Sequence, residues 1–298
     1  MRTSLMGNKT MSIQIREMKQ EDVERCGTIC YEAFKTISEQ HNFRPDFPEP
    51  QAGIQLAEAL FSNPGIFSVV AEQDEQVIGS NHLLEYDAIR AVGPITVDPS
   101  AQAKGAGRML MQAVIERGKG SAGIRLVQDA FNTASLSLYA SLGFDVREPL
   151  VVIEGELKGD VPPNTTVRAL KEEDYEACAE LCRRTHGFDR LNELKHMPPF
   201  VTSFVALRDG RVAAYASGPH FWVMNHAVAE TEDDMRALLL GAANLNPDQP
   251  ISILLPTRQS DFFRWCLKQG MRVIKPLTLM TMGEYHEPRG CYVTSVGY

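Results

Sequence analysis

The sequence has no apolar run approaching the roughly 20 residues that a membrane-spanning helix needs. Positive charge is in deficit: 30 Lys and Arg against 38 Asp and Glu leave a net charge of −8. That balance argues against a nucleic-acid partner, which calls for a surplus of Lys and Arg to meet phosphates. It still permits a local basic pocket, and it mildly favours small cationic substrates. The cysteines (Cys26, Cys30, Cys178, Cys182, Cys266 and Cys291) are too few for a disulfide framework in a chain of 298 residues, so a reducing, cytoplasmic setting is expected. Met1 to Thr10 lacks the apolar stretch of a secretory signal, and residues 1–11 read as a disordered leader with Met11 as a second candidate start. At 44% apolar and 23% charged residues, the chain has the composition of an ordinary globular protein. Its length suits two domains or one large one, with no staples needed.

An internal repeat organises the chain. Arg16-Glu-Met-Lys-Gln-Glu-Asp22-Val-Glu-Arg-Cys26 through Cys30 recurs as Arg168-Ala-Leu-Lys-Glu-Glu-Asp174-Tyr-Glu-Ala-Cys178 through Cys182. Each copy reads as a short strand, an acidic helix start and an amphipathic helix. Ser68–Val77 is echoed by Ser203–Val212, each a pair of strands around a tight turn containing Asp. Leu142-Gly143-Phe144 is echoed by Gln269-Gly270-Met271. The segment 158–165 is rich in turn formers and reads as a linker between copies at 12–157 and 166–298. Within the first copy the pattern predicts helices near 51–62, 105–118 and 132–141. Strands are predicted near 67–72, 76–85, 89–97, 124–129 and 144–153. Antiparallel strands followed by a strand–helix–strand–helix–strand run give an α+β fold with a mixed sheet flanked by helices.

The most informative segment is Gly93-Pro-Ile95-Thr-Val97-Asp-Pro99-Ser-Ala-Gln102-Ala103-Lys104-Gly105-Ala106-Gly107-Arg108. A β-rich strand stops at Pro99, and two glycines spaced two apart precede a helix carrying Met109, Leu110, Ala113 and Val114. Main-chain N–H groups at a helix start are unpaired and partly positive, and glycine lets them approach an anion. A pyrophosphate fits such a cradle, with Lys104 and Arg108 adding charge. A glycine-tolerant turn fits the same bare pattern. The Walker loop is excluded because no Ser or Thr follows a Gly-Lys pair here. The dinucleotide fingerprint is disfavoured because three antiparallel-looking strands come first.

The loop resembles the GNAT acetyltransferase signature Arg/Gln-x-x-Gly-x-Gly/Ala at every fixed position. Downstream, Asn132-Thr-Ala-Ser135-Leu-Ser-Leu-Tyr139-Ala-Ser-Leu-Gly143-Phe144 resembles that family's second signature. The resemblance implies acetyl-CoA as cosubstrate and no metal. Ile95 and Val97 would pair with the pantetheine arm as with an added strand. Gln102, Ala103, Lys104, Gly105, Ala106, Gly107 and Arg108 would hold the pyrophosphate, and Asn132 would bond the pantetheine or cap its helix. Tyr139 would be the general acid that protonates the departing thiolate, a role suited to a phenol that keeps its proton at neutral pH. Packing on the sheet is the competing reading of Tyr139. His82, Glu85 and Asp87 are the candidate general bases, and solvated turn positions are the competing reading of the two carboxylates.

The second copy departs from this pattern. Asn225 to Leu240 has no glycine loop and places Glu232, Asp233 and Asp234 where a pyrophosphate would be repelled. Cys266 and Gln259 stand in the positions of Tyr139 and Asn132. Residues 166–298 therefore resemble a degenerate GNAT copy, with Phe221, Trp222 and the tail from Tyr292 as pocket, interface or core residues. The Cys-x3-Cys pairs read as small apolar packing rather than metal ligands. The expected function is N-acetylation of a primary amine of a small molecule or peptide by direct attack. A noncatalytic acyl-CoA-binding regulator is the alternative, and transfer of a longer acyl chain is a third reading. Neither nucleic acid nor membrane is an expected partner, and a homodimer is compatible with the sequence.

Overall fold

The computed structural model describes residues 12–101 and 105–297, so the expected leader lies outside the described residues. In chain order the elements are β1 (Gln14–Glu17), α1 (Val23–Gln40), α2 (Pro50–Phe61), β2 (Ile66–Gln73), β3 (Gln76–Leu84), β4 (Ile89–Val92), β5 (Thr96–Val97), α3 (Ala106–Arg117), β6 (Gly123–Asp129), α4 (Thr133–Ser141) and β7 (Asp145–Gly155). Then follow β8 (Thr165–Ala169), α5 (Tyr175–His186), α6 (Leu191–Lys195), β9 (Phe204–Arg208), β10 (Arg211–Ala216), β11 (Ala227–Ala229), α7 (Glu232–Leu245), β12 (Ile251–Pro256), α8 (Ser260–Lys268), β13 (Arg272–Gly283) and β14 (Cys291–Val293). The described residues fall into two compact units. One draws on the described residues within 12–40, 45–82 and 94–117, the other on those within 41–44, 83–93 and 118–297.

The first unit is built on β1, β2 and β3, with β5 paired to β3. β1 runs antiparallel to β2 from Gln14↔Glu72 to Glu17↔Val69. Asp74 and Glu75 both have positive φ (54° and 63°), which is the two-residue turn whose twist suits a hairpin. Val23, Cys26 and Ile29 of α1 pack with Ala57 of α2, Val70 of β2 and Val77 of β3. The entry to α1 is fixed by Arg16, whose guanidinium donates to both oxygens of Asp22 at 2.6 and 2.9 Å. Asp22 also accepts the Lys19 N–H at 2.8 Å, satisfying an otherwise unpaired helix-start donor. The Arg16 guanidinium holds the Asp22 carboxyl below the usual carboxylate range.

The same device recurs in the second unit. Arg168 donates to Asp174 at 2.6 and 2.9 Å, and the Lys171 N–H reaches Asp174 at 2.8 Å. The sheet β14-β11-β10-β9-β8 follows, with Asp209 and Gly210 (φ 53° and 78°) closing the β9–β10 turn. Alternation assigns its two faces. Ala214, Ala216, Ala227 and Ala229 join Met235, Leu238 and Leu239 of α7, whereas Tyr215 and Val228 join Cys178, Leu181 and Cys182 of α5. Burial pushes the Cys26 and Cys178 thiols up to about 12, so both act as small apolar packing groups rather than nucleophiles.

The remaining strands of this unit run β4-β6-β13-β7-β12, with the last two residues of β3 on β4. Here the two sequence copies exchange strands. β13, from the second copy, lies between β6 and β7 of the first, with Leu277↔Asp129 on one side and Leu277↔Leu150 on the other. β12, from the second copy, pairs with β7 of the first, from Ile251↔Gly155 to Pro256↔Leu150. Each copy's helix-flanked strand is thus completed by the other copy's last long strand. Leu150, Val152, Leu254, Leu277 and Leu279 pack together across this exchange.

Candidate active site

The predicted strand at 89–97 is broken in two. β4 ends at Val92, Gly93 takes φ +133°, Pro94 has no N–H to offer, and pairing resumes in β5. β5 meets β3 at Gly79↔Val97 and Ser80↔Thr96, and Ile95 lies in the break just before it. After β5, the Asp98 N–H donates to the Ile78 carbonyl at 2.8 Å, and the Asp98 carboxylate accepts from Ser100 N–H and Oγ at 2.8 and 2.7 Å. The carboxylate is also bonded by Arg25. These contacts turn the chain into the helical turn Pro99–Ala101.

Gln102, Ala103 and Lys104 of the expected cradle lie outside the described residues. Gly105 has φ +91°, and among the described residues no atom lies within 4 Å of a Cβ built there. Its carbonyl accepts the Met109 N–H at 3.1 Å, so α3 begins at this glycine. Ala106 is buried, Gly107 is half-buried and Arg108 is exposed, and the first turn of α3 has no acidic residue. Leu110, Met111 and Val114 face the core. Asn81 fixes this helix by donating from Nδ2 to the Leu110 carbonyl at 3.3 Å. His82 points elsewhere, with Nδ1 at 2.8 Å from Ser68 Oγ. Burial lowers the His82 imidazole to about 4, so it is neutral at pH 7.

The second group of predicted residues belongs to the other unit. Asn132 caps α4, its Oδ1 accepting the Ser135 N–H at 3.1 Å. Tyr139 is buried on α4, with Phe144 edge-on at 6.4 Å between ring centroids. Burial pushes the Tyr139 phenol up to about 12, partly offset by a hydrogen bond with Ser135. Glu85 follows β3 in a half-buried position, and its main-chain carbonyl accepts from Arg90. Asp87, read from sequence as a solvated turn residue, instead caps α6, accepting the N–H groups of Asn192 and Glu193 at 3.2 and 3.1 Å.

Sequence reasoning missed the ion pair between Lys275 of β13 and Asp129 at the end of β6, 2.8 Å apart and almost fully buried. Its counterpart is Glu148 of β7, which meets Arg258 Nε at 2.8 Å. The signal was present: Glu148-Pro149-Leu150 and Lys275-Pro276-Leu277 repeat in register with opposite charge. In the second copy Gln259 occupies the N-cap position of α8, without a capping side-chain bond, and Cys266 stands seven residues on, as Tyr139 stands seven residues after Asn132 on α4. Trp222 packs beside Leu150 and Leu277 with the Lys275 ammonium 5.1 Å from its ring centre. Phe221 is partly exposed and meets Phe200 edge-on.

Residues 30–144 match the acetyltransferase (GNAT) family. This part of the chain is a GNAT domain. A mycothiol acetyltransferase of Nocardia farcinica is 32% identical over 98 residues, a stretch that covers 30% of this chain and 32% of the relative. The chain therefore spans about a third of the length of that curated relative. Two solved structures share the fold across nearly the whole chain. A GCN5-related N-acetyltransferase from Sphaerobacter thermophilus superposes with a TM-score of 0.59 at 15% identity, covering 92% of this chain and 96% of that one. A tandem GNAT protein from the clavulanic acid biosynthesis pathway gives 0.58 at 12% identity, covering 91% and 98%. The fold across the chain is thus the mixed α/β fold of these structures. Among the described residues no helix is long and apolar enough to cross a membrane.

Proposed function

We propose that this protein transfers an acetyl group from acetyl-CoA to the primary amine of a small molecule or peptide, using the GNAT copy at residues 12–157. The observation that carries the reading is the start of α3. Gly105 has a left-handed backbone, no atom of the described residues stands where its side chain would be, and no acidic residue follows in the first turn. The main-chain N–H groups of a helix start, with their partial positive charge, suit a diphosphate. Gln102, Ala103 and Lys104 would complete the cradle with Ala106, Gly107 and Arg108, and the Ile95–Val97 main chain would receive the pantetheine arm. Asn132 would serve as helix cap and as a pantetheine contact.

In the proposed reaction the amine nitrogen attacks the thioester carbonyl directly, and the carbon–sulfur bond breaks as the amide forms. Tyr139, whose proton is held until about 12, gives it to the departing thiolate. The attacking nitrogen loses its proton to a carboxylate, and the reading assigns that role to Glu85. His82 is the weaker candidate, because burial opposes the charge it would acquire and Ser68 engages its Nδ1. The test is release of CoA thiol on mixing the purified chain with acetyl-CoA and a panel of primary amines. Amine-dependent release supports the transferase. CoA binding without release for any amine would leave the noncatalytic acyl-CoA-binding regulator.

A further inference from the structure

The two copies differ in what lies beside matching strands. In the first, β4 and β6 pair directly and in parallel over Ile89↔Gly123 to Ala91↔Arg125. Their counterparts by position in the repeat are β11, which precedes α7 as the broken strand β4–β5 precedes α3, and β12, which follows α7 as β6 follows α3. Among the described residues β11 and β12 share no ladder. The C-terminal strand β14 stands between them. One edge of β14 pairs antiparallel with β11, from Ala227↔Val293 to Ala229↔Cys291. Its other edge faces β12, where the Thr294 N–H donates to the Leu254 carbonyl at 3.1 Å.

The residue equivalent to Asn132 also turns to this strand. Gln259 donates from Nε2 to the Tyr292 carbonyl at 2.6 Å and accepts the Tyr292 N–H on Oε1 at 3.1 Å. A side-chain amide thus supplies the two bonds that a neighbouring strand would make. The Tyr292 ring is buried, and its hydroxyl donates to Glu148 and accepts from Arg258 Nε at 3.0 Å. The matching helix start is occupied as well. Thr231 caps α7, and Asp234 sits in the first turn, where Arg208 bonds both carboxylate oxygens at 2.8 Å. The Thr231 hydroxyl thereby takes a helix-start N–H, and the negative charge of Asp234 stands in the turn that an anionic ligand would approach.

We propose that β14 is a built-in occupant of the second copy's cofactor slot, standing where a pantetheine arm would run, and that the chain consequently holds a single CoA, in the first copy. The pantetheine arm is a slender chain with two amides and can be replaced, bond for bond, by an extended peptide. The inference rests on the assignment of the cofactor to the first copy made above.

The test combines calorimetric titration of the full chain with CoA and amide hydrogen exchange with and without CoA. One equivalent of CoA is expected. The amides of Tyr292 and Thr294 are expected to exchange at least about a thousandfold more slowly than in a free peptide, equally in both states. Gln259→Ala is expected to speed exchange at the Tyr292 amide by about tenfold while leaving the stoichiometry at one. Two equivalents of CoA, or loss of protection across Cys291 to Thr294 on adding CoA, would overturn the proposal and leave the first-copy assignment standing. Zero equivalents would overturn that assignment itself, and the comparison between copies with it.

Discussion

Gly105 and Gly120 provide a matched pair for separating backbone strain from ligand contact. Their φ values are +91° and +92°, and a Cβ built at either meets nothing within 4 Å among the described residues. Replacing either by Ala costs the same left-handed penalty, about 1–2 kcal/mol, with no steric term to add. Both variants are therefore expected to lower Tm by a similar few degrees, at about 2–4 °C per kcal/mol for a chain of this size. Only Gly105→Ala also places a methyl group at the start of α3. Loss of one charge-assisted N–H···phosphate bond, about 1.5–3 kcal/mol, weakens CoA binding by roughly 10- to 100-fold. Gly105→Glu adds like charge and is expected to abolish binding. Differential scanning calorimetry and CoA titration on the two Ala variants decide the matter. Equal CoA affinity in both, with equal stability loss, would refute the role given to the helix start.

Two shorter predictions follow from buried groups. Tyr139→Phe is expected to lower kcat by about 100-fold with an unchanged KM for acetyl-CoA, and full activity would remove the phenol as the acid. His82 and His186 are buried and neutral, lowered by burial to about 4 and about 3, so the unfolded chain binds more protons as pH falls below 6.5. Their contribution is complete above that pH and is lost on descending toward the folded values, about 2 kcal/mol each between pH 7.5 and pH 5. Glu148 and Glu193, pushed up by burial, act in the opposite sense on acidification. Urea unfolding midpoints should fall on acidification, and in His82→Gln they should fall less; a pH-independent midpoint would contradict the burial argument.

Much of the local structure could be read from the sequence because its causes are local. The repeats beginning at Arg16 and Arg168 announced the same strand and acidic helix start, and in both copies the arginine clamps the aspartate with matching distances. Asn132 was weighed as a cap and is one. What escaped was set by partners far along the chain. Asp87 looked like a solvated turn residue, yet its carboxylate serves N–H groups more than 100 residues away. The strand through 97 was drawn unbroken although Gly93-Pro94 interrupts it, because β propensity on both sides outweighed the two breakers. The exchange of β7 and β13 left no trace in periodicity, since an apolar strand reads the same whichever copy it pairs with.

That exchange has a consequence for how the chain can be divided. The sequence repeat suggests a cut within 158–165, but β7 would then lose β13 along one edge and β12 along the other. β6 would lose β13, and Asp129 would lose Lys275 from a buried ion pair. Removing one member of such a pair costs about 3–5 kcal/mol, a large part of the stability of an average domain. The stripped edges would also present long apolar strands to other chains. Residues 12–157 and 166–298 expressed separately are therefore expected to aggregate, whereas co-expression is expected to yield a soluble complex. A soluble 12–157 fragment with a cooperative thermal transition would show that the shared strands are dispensable. It would also remove the physical reason for a second copy without a glycine cradle: that its strands complete the sheet of the first.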